Sequence, residues 1–330
     1  MTATTLTFTR RAGLTVLAGA ALGIALASPA LAQDDFPNRP ISFISAYPAG
    51  SGADVFVRYF ANEISELTGN TIIVENKPGA AGNIASEYVA HAAPDGYTVY
   101  VHGGSATTLN YHLWKNPPVD PVKDFRGVAG VNKLAFYITV GADSPYKTIE
   151  ELNAYLKEAG DAATYATSNT SGRVLGAQYV QELGADPVEV RYGSTAEMLP
   201  DLVSLAVDFS VTDPANALAG QSDGRLRILA TGAGERLDVA PDVPTLKETG
   251  LDIDQLTWWA AWVPAGTPDA VVDKLNQMFT QVSKEPKTKP FLANAGVDVW
   301  IASPEQVDEA LVKLMAESKK LVDIAKIPQN

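Results

Sequence analysis

Four short stretches of this 330-residue chain collect residue types that hold an anion rather than transform one. In Tyr47-Pro48-Ala49-Gly50-Ser51-Gly52-Ala53-Asp54 the glycines let backbone N–H groups turn inward. The helix that follows adds the positive end of its dipole, so the favoured ligand is a carboxylate or a phosphate. A plain tight turn is the alternative. Gly50-x-Gly52 lacks the third glycine of a dinucleotide fingerprint, and no Gly-Lys-Ser/Thr follows to make a phosphate loop. The stretch Thr167-Ser168-Asn169-Thr170-Ser171-Gly172-Arg173 gathers hydroxyls and an amide at a helix start beside a permanently charged, bidentate Arg. It reads equally as a helix cap with a solvated Arg. Tyr192-Gly193-Ser194-Thr195 and His102-Gly103-Gly104-Ser105-Ala106 repeat the pattern. The Asn76–Gly82 turn, with Gly79 and Gly82, permits a close backbone approach without itself implying a ligand.

Catalytic patterns fare worse. Gly220-Gln221-Ser222-Asp223-Gly224 matches G-x-S-x-G, and His102-Gly103-Gly104 resembles an esterase oxyanion segment. That chemistry needs its serine on a strand-to-helix elbow. Here the motif follows helix-like Ala215–Ala219 and precedes strand-like Leu226–Ala230, the reverse order. His91, His102 and His112 have no metal-ligand spacing, and the dispersed acids nominate no acid–base pair.

The anion-holding loops need a scaffold that puts them at strand ends. Ile41–Ala46, Thr71–Val74 and Thr98–Val101 read as strands. Between them Asp54 opens a helix with Phe56, Phe60, Ile64 and Leu67 on one face, Gly69 ends it, and a short helix starts near Asn83. Ala135–Val140, a run at Tyr165, Val188–Tyr192, Val207–Val211 and Leu226–Ala230 are further strands, with helices starting near Arg173 and Ala196. Thr148 and Glu151 form a capping box, and Thr267-Pro268 starts a helix carrying Val271, Val272, Leu275 and Phe279. Ser303-Pro304-Glu305-Gln306 combines cap, first-turn proline and capping box. This β-loop-α repetition predicts parallel sheets covered by helices, in two α/β lobes with a cleft between them. Most of the aromatic residues should be core; Trp258 and Trp259 fall near the expected crossover, and whether either lines the cleft stays open.

Composition narrows the function. Apolar residues make up 46% of the chain and charged residues 19%, enough for a packed core. A net charge of −13 argues against a nucleic-acid binder, which would show a basic stripe, and against adhesion to an anionic membrane surface. The absence of cysteine removes disulfides, thiolate metal sites and thiol nucleophiles. Arg10-Arg11, the small apolar run Ala12–Ala27 and the Ala30-x-Ala32 site predict a cleaved export signal over residues 1–32, with a mature start at Gln33. The Arg pair leaves ordinary secretory and twin-arginine export both open. Removing it takes two positive charges from the −13 of the whole chain, so the mature chain stands near −15.

A set of segments then points to a family. Pro37-Asn38-Arg39-Pro40-Ile41 leads into the Tyr47–Asp54 loop. Val74-Glu75-Asn76-Lys77-Pro78-Gly79-Ala80-Ala81-Gly82-Asn83-Ile84 and Ala93-Pro94-Asp95-Gly96-Tyr97-Thr98 follow. Pro241-Asp242-Val243-Pro244-Thr245-Leu246 and Val263-Pro264-Ala265-Gly266-Thr267-Pro268 complete the set. In this order and spacing, over nearly the whole mature chain, they resemble the Bug-type extracytoplasmic solute receptors of tripartite tricarboxylate transporters. The resemblance implies a two-lobed α/β periplasmic binding protein, type II-like, with its ligand cleft between the lobes. We place the first lobe at 34–135 plus 258–330 and the second at 136–257. The expected protein is a periplasmic monomer without cofactor or metal. It closes on a small carboxylate and hands it to separate membrane permease subunits. A sensor presenting the bound carboxylate to a signalling partner needs the same cleft, and a serine hydrolase is the remote alternative.

The resemblance also assigns residues. In such receptors one carboxylate is held by the first loop, partly through ordered water, and the matching positions are Tyr47, Ala49, Gly50, Ser51, Gly52 and Asp54. The second lobe contributes Ser168, Asn169, Thr170, Ser171 and Arg173, with Tyr192, Gly193 and Ser194. Ser105 is added from its place in the loop after the third strand, not from the resemblance. Asp213 matches a family acidic position. It either accepts a hydrogen bond from a ligand hydroxyl or bridging water, or caps the helix at Pro214-Ala215. Ser51 interrupts the family's glycine run, Leu175-Gly176 stands where a His-Leu pair is usual, and the Tyr192 turn is one residue short. With Arg173 newly present, we expect it to pair directly with a distal carboxylate. Whether the solute is a mono-, di- or aromatic carboxylate stays open.

Overall fold

The computed structural model describes residues 1–2, 36–325 and 329. The expected signal segment lies, apart from its first two residues, outside them. The described residues from Pro37 onward form one compact unit containing two sheets.

The first sheet has the order β11-β4-β10-β3-β1-β2. Its strands are β1 (Ile41–Ser45), β2 (Ile72–Asn76), β3 (Thr98–Gly103), β4 (Phe125–Leu134), β10 (Thr257–Pro264) and β11 (Asp298–Val299). The second sheet, in the order β7-β6-β8-β5-β9, holds β5 (Tyr137–Gly141), β6 (Thr164–Thr167), β7 (Val188–Arg191), β8 (Phe209–Thr212) and β9 (Leu226–Thr231). Helices α1 (Gly52–Thr68), α2 (Asn83–Ala90), α3 (Gly104–Leu113) and α4 (Pro121–Asp124) belong to the first lobe. The second lobe has α5 (Ile149–Ala159), α6 (Thr170–Leu183), α7 (Thr195–Val203) and α8 (Pro214–Ser222). The chain then returns to the first lobe with α9 (Asp269–Lys284), α10 (Thr288–Asn294) and α11 (Pro304–Ala325).

Apolar spacing explains the layers. Phe60 of α1 and Phe43 of β1 both stack on Phe279 of α9, at 5.6 and 5.4 Å, so α1 and α9 cover one face of the first sheet. On the other face Ile44, Tyr100 and Trp262 meet Ala85 and Val89 of α2 and Val307 and Leu311 of α11. In the second lobe Leu152 and Leu156 of α5 and Leu175 and Tyr179 of α6 cover Ile138, Phe209 and Val211. Each such aliphatic burial contributes about 1.5–3 kcal/mol. Caps fix where the helices begin. Ser303 and Gln306 exchange both capping-box bonds, at 2.9 and 3.3 Å. Helix α1 starts at Gly52, two residues before the position read from its apolar face, because Ser51 is the cap and Asp54 is its third residue.

Strand direction turns the two sheets toward each other. β1, β2 and β3 are parallel, and β10 runs antiparallel to both β3 and β4. β4 therefore ends at Leu134 on the same edge as the ends of β1, β2 and β3. Only Ala135 and Phe136 separate it from β5, whose first residue, Tyr137, pairs with the last residues of β8 and β9. β6, β7 and β8 are parallel and also end at that edge. The carboxyl ends of both sets of parallel strands thus face one crossing, the place where open α/β sheets bind ligands. Segment 232–256 makes the second crossing, into β10. Val174 of α6 also packs with Leu109 and Leu113 of α3 and Val322 of α11, an apolar contact between the lobes.

Candidate functional site

The loop after β1 is braced by one carboxylate. Asp54 is fully buried. Its Oδ2 accepts from the Gly50 amide at 2.8 Å and from Arg58 Nε at 2.7 Å, and its Oδ1 accepts from Asn76 Nδ2 at 2.6 Å. Burial pushes the carboxyl pKa up, but these three donors and the Arg58 charge outweigh burial and hold it below the ordinary value. Asn76 also donates to the Tyr47 carbonyl at 2.9 Å, and its own Oδ1 accepts from Arg58 Nη2. The Ser51 amide donates to Pro48 O, its hydroxyl donates to the same carbonyl, and its Oγ caps the Asp54 amide. Gly50 sits at φ +79°, a left-handed turn that suits glycine. The Gly50 and Ser51 amides are therefore engaged inside the loop. The amides of Gly52 and Ala53 occupy first-turn positions that have no intrahelical acceptor. Ala49 is exposed beside them.

Tyr47 leans on an aromatic wall. Its ring stacks on Trp259 at 5.5 Å and meets His102 at 5.3 Å, and burial pushes its phenol up to about 12. His102 is buried against Tyr100 at 4.9 Å, with neither ring nitrogen hydrogen-bonded, and desolvation pushes it down to about 3. Ser105, the second residue of α3, pairs its Oγ with Thr257 Oγ1 at 2.5 Å.

The second-lobe loops are linked by a hydroxyl chain. Thr195 Oγ1 donates to Asp213 Oδ2 at 2.9 Å, and Ser168 Oγ stands 2.9 Å from Thr195 Oγ1. Thr195 has one proton, which Asp213 takes, so Ser168 is the donor in its pair and keeps its lone pairs for another partner. Asp213 caps α8 through the Asn216 amide at 3.1 Å. Asn169 caps α6 through the Gly172 amide at 2.9 Å, which places Thr170 and Ser171 at the two first-turn positions. Ser194 caps α7 while the Gly193 amide donates to Glu197. Tyr192 OH donates to Asp201 at 2.6 Å. Arg173 Nε is paired with Glu189 Oε1 at 3.1 Å.

The structure brings the expected residues into three groups. Tyr47, Gly50, Ser51 and Asp54 gather around Asn76. Ser168 and Asp213 join through Thr195. Ser105 and Ser171 line one cavity between the lobes, with Phe136 of the crossing and Thr257. Among the described residues no hydrogen bond joins the Tyr47–Asp54 loop to the second-lobe loops. A more open cavity lies among Lys133, Arg236, Asp238, Lys289 and Asp298, on the β11 side of the crossing. Its charges face one another, Lys289 Nζ standing 3.5 Å from Asp238, and none of the loop residues takes part. Thr195 lies in a stretch already singled out in the sequence, whereas Asn76, Arg58 and Glu189 were not expected to brace the loops. The Asp54–Arg58 spacing of four on a helix was the one legible signal.

A family model described as the tripartite tricarboxylate transporter family receptor matches residues 56–326. The chain belongs to that family. It is 33% identical over 319 residues to a UPF0065 protein in the gbd 5' region of Cupriavidus necator, covering 96% of each chain. The periplasmic binding protein BugD superposes with a TM-score of 0.76 at 28% identity, over 89% of this chain and all of that one. MatC from Rhodopseudomonas palustris, solved with bound malate, superposes at 0.75 with 26% identity, over 87% of this chain and all of that one. Two lobes with facing strand ends are therefore the fold of a periplasmic solute-binding receptor of the Bug type, and the family is one of receptors rather than enzymes.

Proposed function

We infer that this receptor captures a small carboxylate in the periplasm by lobe closure and delivers it to separate membrane permease subunits. The observation that carries this reading is the set of helix first turns at facing strand ends. α1 and α3 start at the ends of first-lobe strands, α6 and α7 at the ends of second-lobe strands. First-turn amides and the helix dipole favour an anion. Loops braced within each lobe present those amides without rearrangement on binding, which lowers the ordering cost. Malate in a family member with 26% identity supports the ligand class. In this reading the Gly52 and Ala53 amides, with Tyr47, Ala49, Gly50, Ser51 and Asp54 shaping their loop, hold one carboxylate. Ser105, Ser168, Asn169, Thr170, Ser171, Tyr192, Gly193, Ser194 and Asp213 form the closing side, and the protein works as a monomer.

The test is a thermal-shift and calorimetry screen of the mature protein against mono-, di- and aromatic carboxylates, each paired with its neutral amide. A ligand at 100 times its Kd stabilises the native state by about 2.7 kcal/mol. We expect at least one acid to raise the melting temperature while its amide does not. Binding of amides as tight as that of the acids, or of neither, refutes the reading.

A further inference from the structure

We propose that Glu189 keeps Arg173 from a second ligand carboxylate, so that the receptor selects solutes with one anionic end over dicarboxylates of the same length. The inference rests on the carboxylate reading above and narrows its substrate class. Arg173 is the cation expected above to meet a distal carboxylate, and in the structure it already has a partner. Its Nε lies 3.1 Å from Glu189 Oε1, with both side chains mostly buried, 20% and 17% exposed. Glu189 is itself anchored. Thr167 Oγ1 donates to its Oε1 at 2.7 Å and Arg191 Nε to its Oε2 at 2.8 Å. Its backbone is fixed by parallel pairing of β7 with β6, Glu189 opposite Tyr165 and Arg191 opposite Thr167. A carboxylate with three donors on a strand does not swing aside. For Arg173 to take a ligand carboxylate it must leave a mostly buried anion short of a donor, or bring a second anion against the first.

The inter-lobe cavity adds a separate observation. Asp254 and Glu317 are among its lining residues, and no Lys or Arg lines it among the described residues. Leu109, Phe136, Val174 and Leu175 supply apolar walls. That lining offers a second carboxylate no cationic partner. Glu189 thus acts as a positioning residue, setting specificity through Arg173.

The experiment measures Kd by calorimetry for matched pairs, hexanoate with adipate and benzoate with terephthalate. Wild type, Glu189→Gln and the double variant Glu189→Gln/Arg173→Gln are compared, with folding checked by circular dichroism. We expect wild type to bind the monocarboxylate of at least one pair about tenfold or more tightly than its dicarboxylate. Glu189→Gln should tighten the dicarboxylate by about 10- to 100-fold, the worth of one charge-assisted bond, and leave the monocarboxylate within about threefold. The double variant should restore the wild-type preference. If Glu189→Gln fails to fold, Arg173→Gln alone decides, because an arginine not used by the ligand can be removed without a tenfold loss for either member. A wild-type preference for dicarboxylates overturns the proposal. So does an equal gain for both members of a pair, which would mark a general charge effect, or an unchanged preference in Glu189→Gln. Folded protein that binds no carboxylate of either kind brings down the carboxylate reading itself, a distinct outcome.

Discussion

Replacing Asp54 with Asn changes one atom of a fully buried side chain and tests the bracing of the first loop. The native carboxylate receives three donors, Gly50 N and Arg58 Nε on one oxygen and Asn76 Nδ2 on the other. An amide offers one acceptor oxygen. If that oxygen keeps Gly50 and Arg58, the new NH2 faces the NH2 of Asn76 and that bond is lost. Turning Asn76 over to rescue it breaks the 2.9 Å bonds to Tyr47 O and from Arg58 Nη2. One charge-assisted bond is therefore lost on either path, worth about 1.5–3 kcal/mol. The Arg58 attraction adds little, because that side chain is 45% exposed and screened by solvent. We expect Asp54→Asn to lower unfolding free energy by about 2–3 kcal/mol at pH 7, measured by urea denaturation.

The pH dependence gives a second reading of the same bond. The Asp54 pKa is depressed in the folded state, so its stabilisation is complete above the unfolded value of about 3.9. It is lost as pH falls through the lower folded value. The Asn variant carries no such titration, so the gap between the two proteins should shrink below about pH 4. A gap under about 0.5 kcal/mol at pH 7, or one that stays constant down to about pH 3, refutes the bracing role.

Two further predictions concern packing. Burial pushes the His102 imidazole down to about 3, whereas an unfolded histidine titrates near 6.5. Wild type should therefore lose about 1.4 kcal/mol per pH unit below about 6.5 through this group. His102→Phe keeps a ring against Tyr100 and should flatten that slope in urea denaturation between about pH 7 and 4.5; parallel slopes refute it. An alanine Cβ at Gly130 would lie 2.5 Å from the Trp300 carbonyl and 2.8 Å from its ring. Gly130→Ala should cost about 1–3 kcal/mol in the same assay, and a neutral result would mean that Trp300 can move.

The alternation of strands and capped helices was readable because each is a local signal. Thr148, Ser303 and the apolar faces of α1, α5 and α9 sit within a few residues of what they determine. β4 and α3 were not readable, for one shared reason. Gly127 and Gly130 look like breakers in a strand, and Gly103-Gly104 looks like a loop. In the fold each is a close-approach site. A Cβ at Gly127 would lie 2.8 Å from Pro304 O and Val307, and one at Gly104 would lie 2.8–2.9 Å from the Trp258 ring. The cause lies more than a hundred residues away, so nothing near these glycines announces it. The site divides the same way. Loop residues such as Asn169 and Ser194 were legible, but the bracing bonds Asp54–Asn76, Arg173–Glu189 and Thr195–Asp213 join residues 16 to 22 apart on different elements.

Bracing each loop within its own lobe has a consequence for closure. The lobes are joined by a two-residue crossing, by segment 232–256 and by the apolar contact of Val174 with Leu109, Leu113 and Val322. No hydrogen bond between the candidate loops holds them together among the described residues. In the proposed closure the driving force then comes from the ligand, as the difference between its affinity for the closed form and for the open one. Moving such an equilibrium from about 1:99 to 99:1 takes about 5.5 kcal/mol of that difference, several charge-assisted bonds made across the gap. A solute reaching the amides of one lobe alone supplies none of it. It would occupy its half of the site and leave the lobes where they were, however tightly it was held.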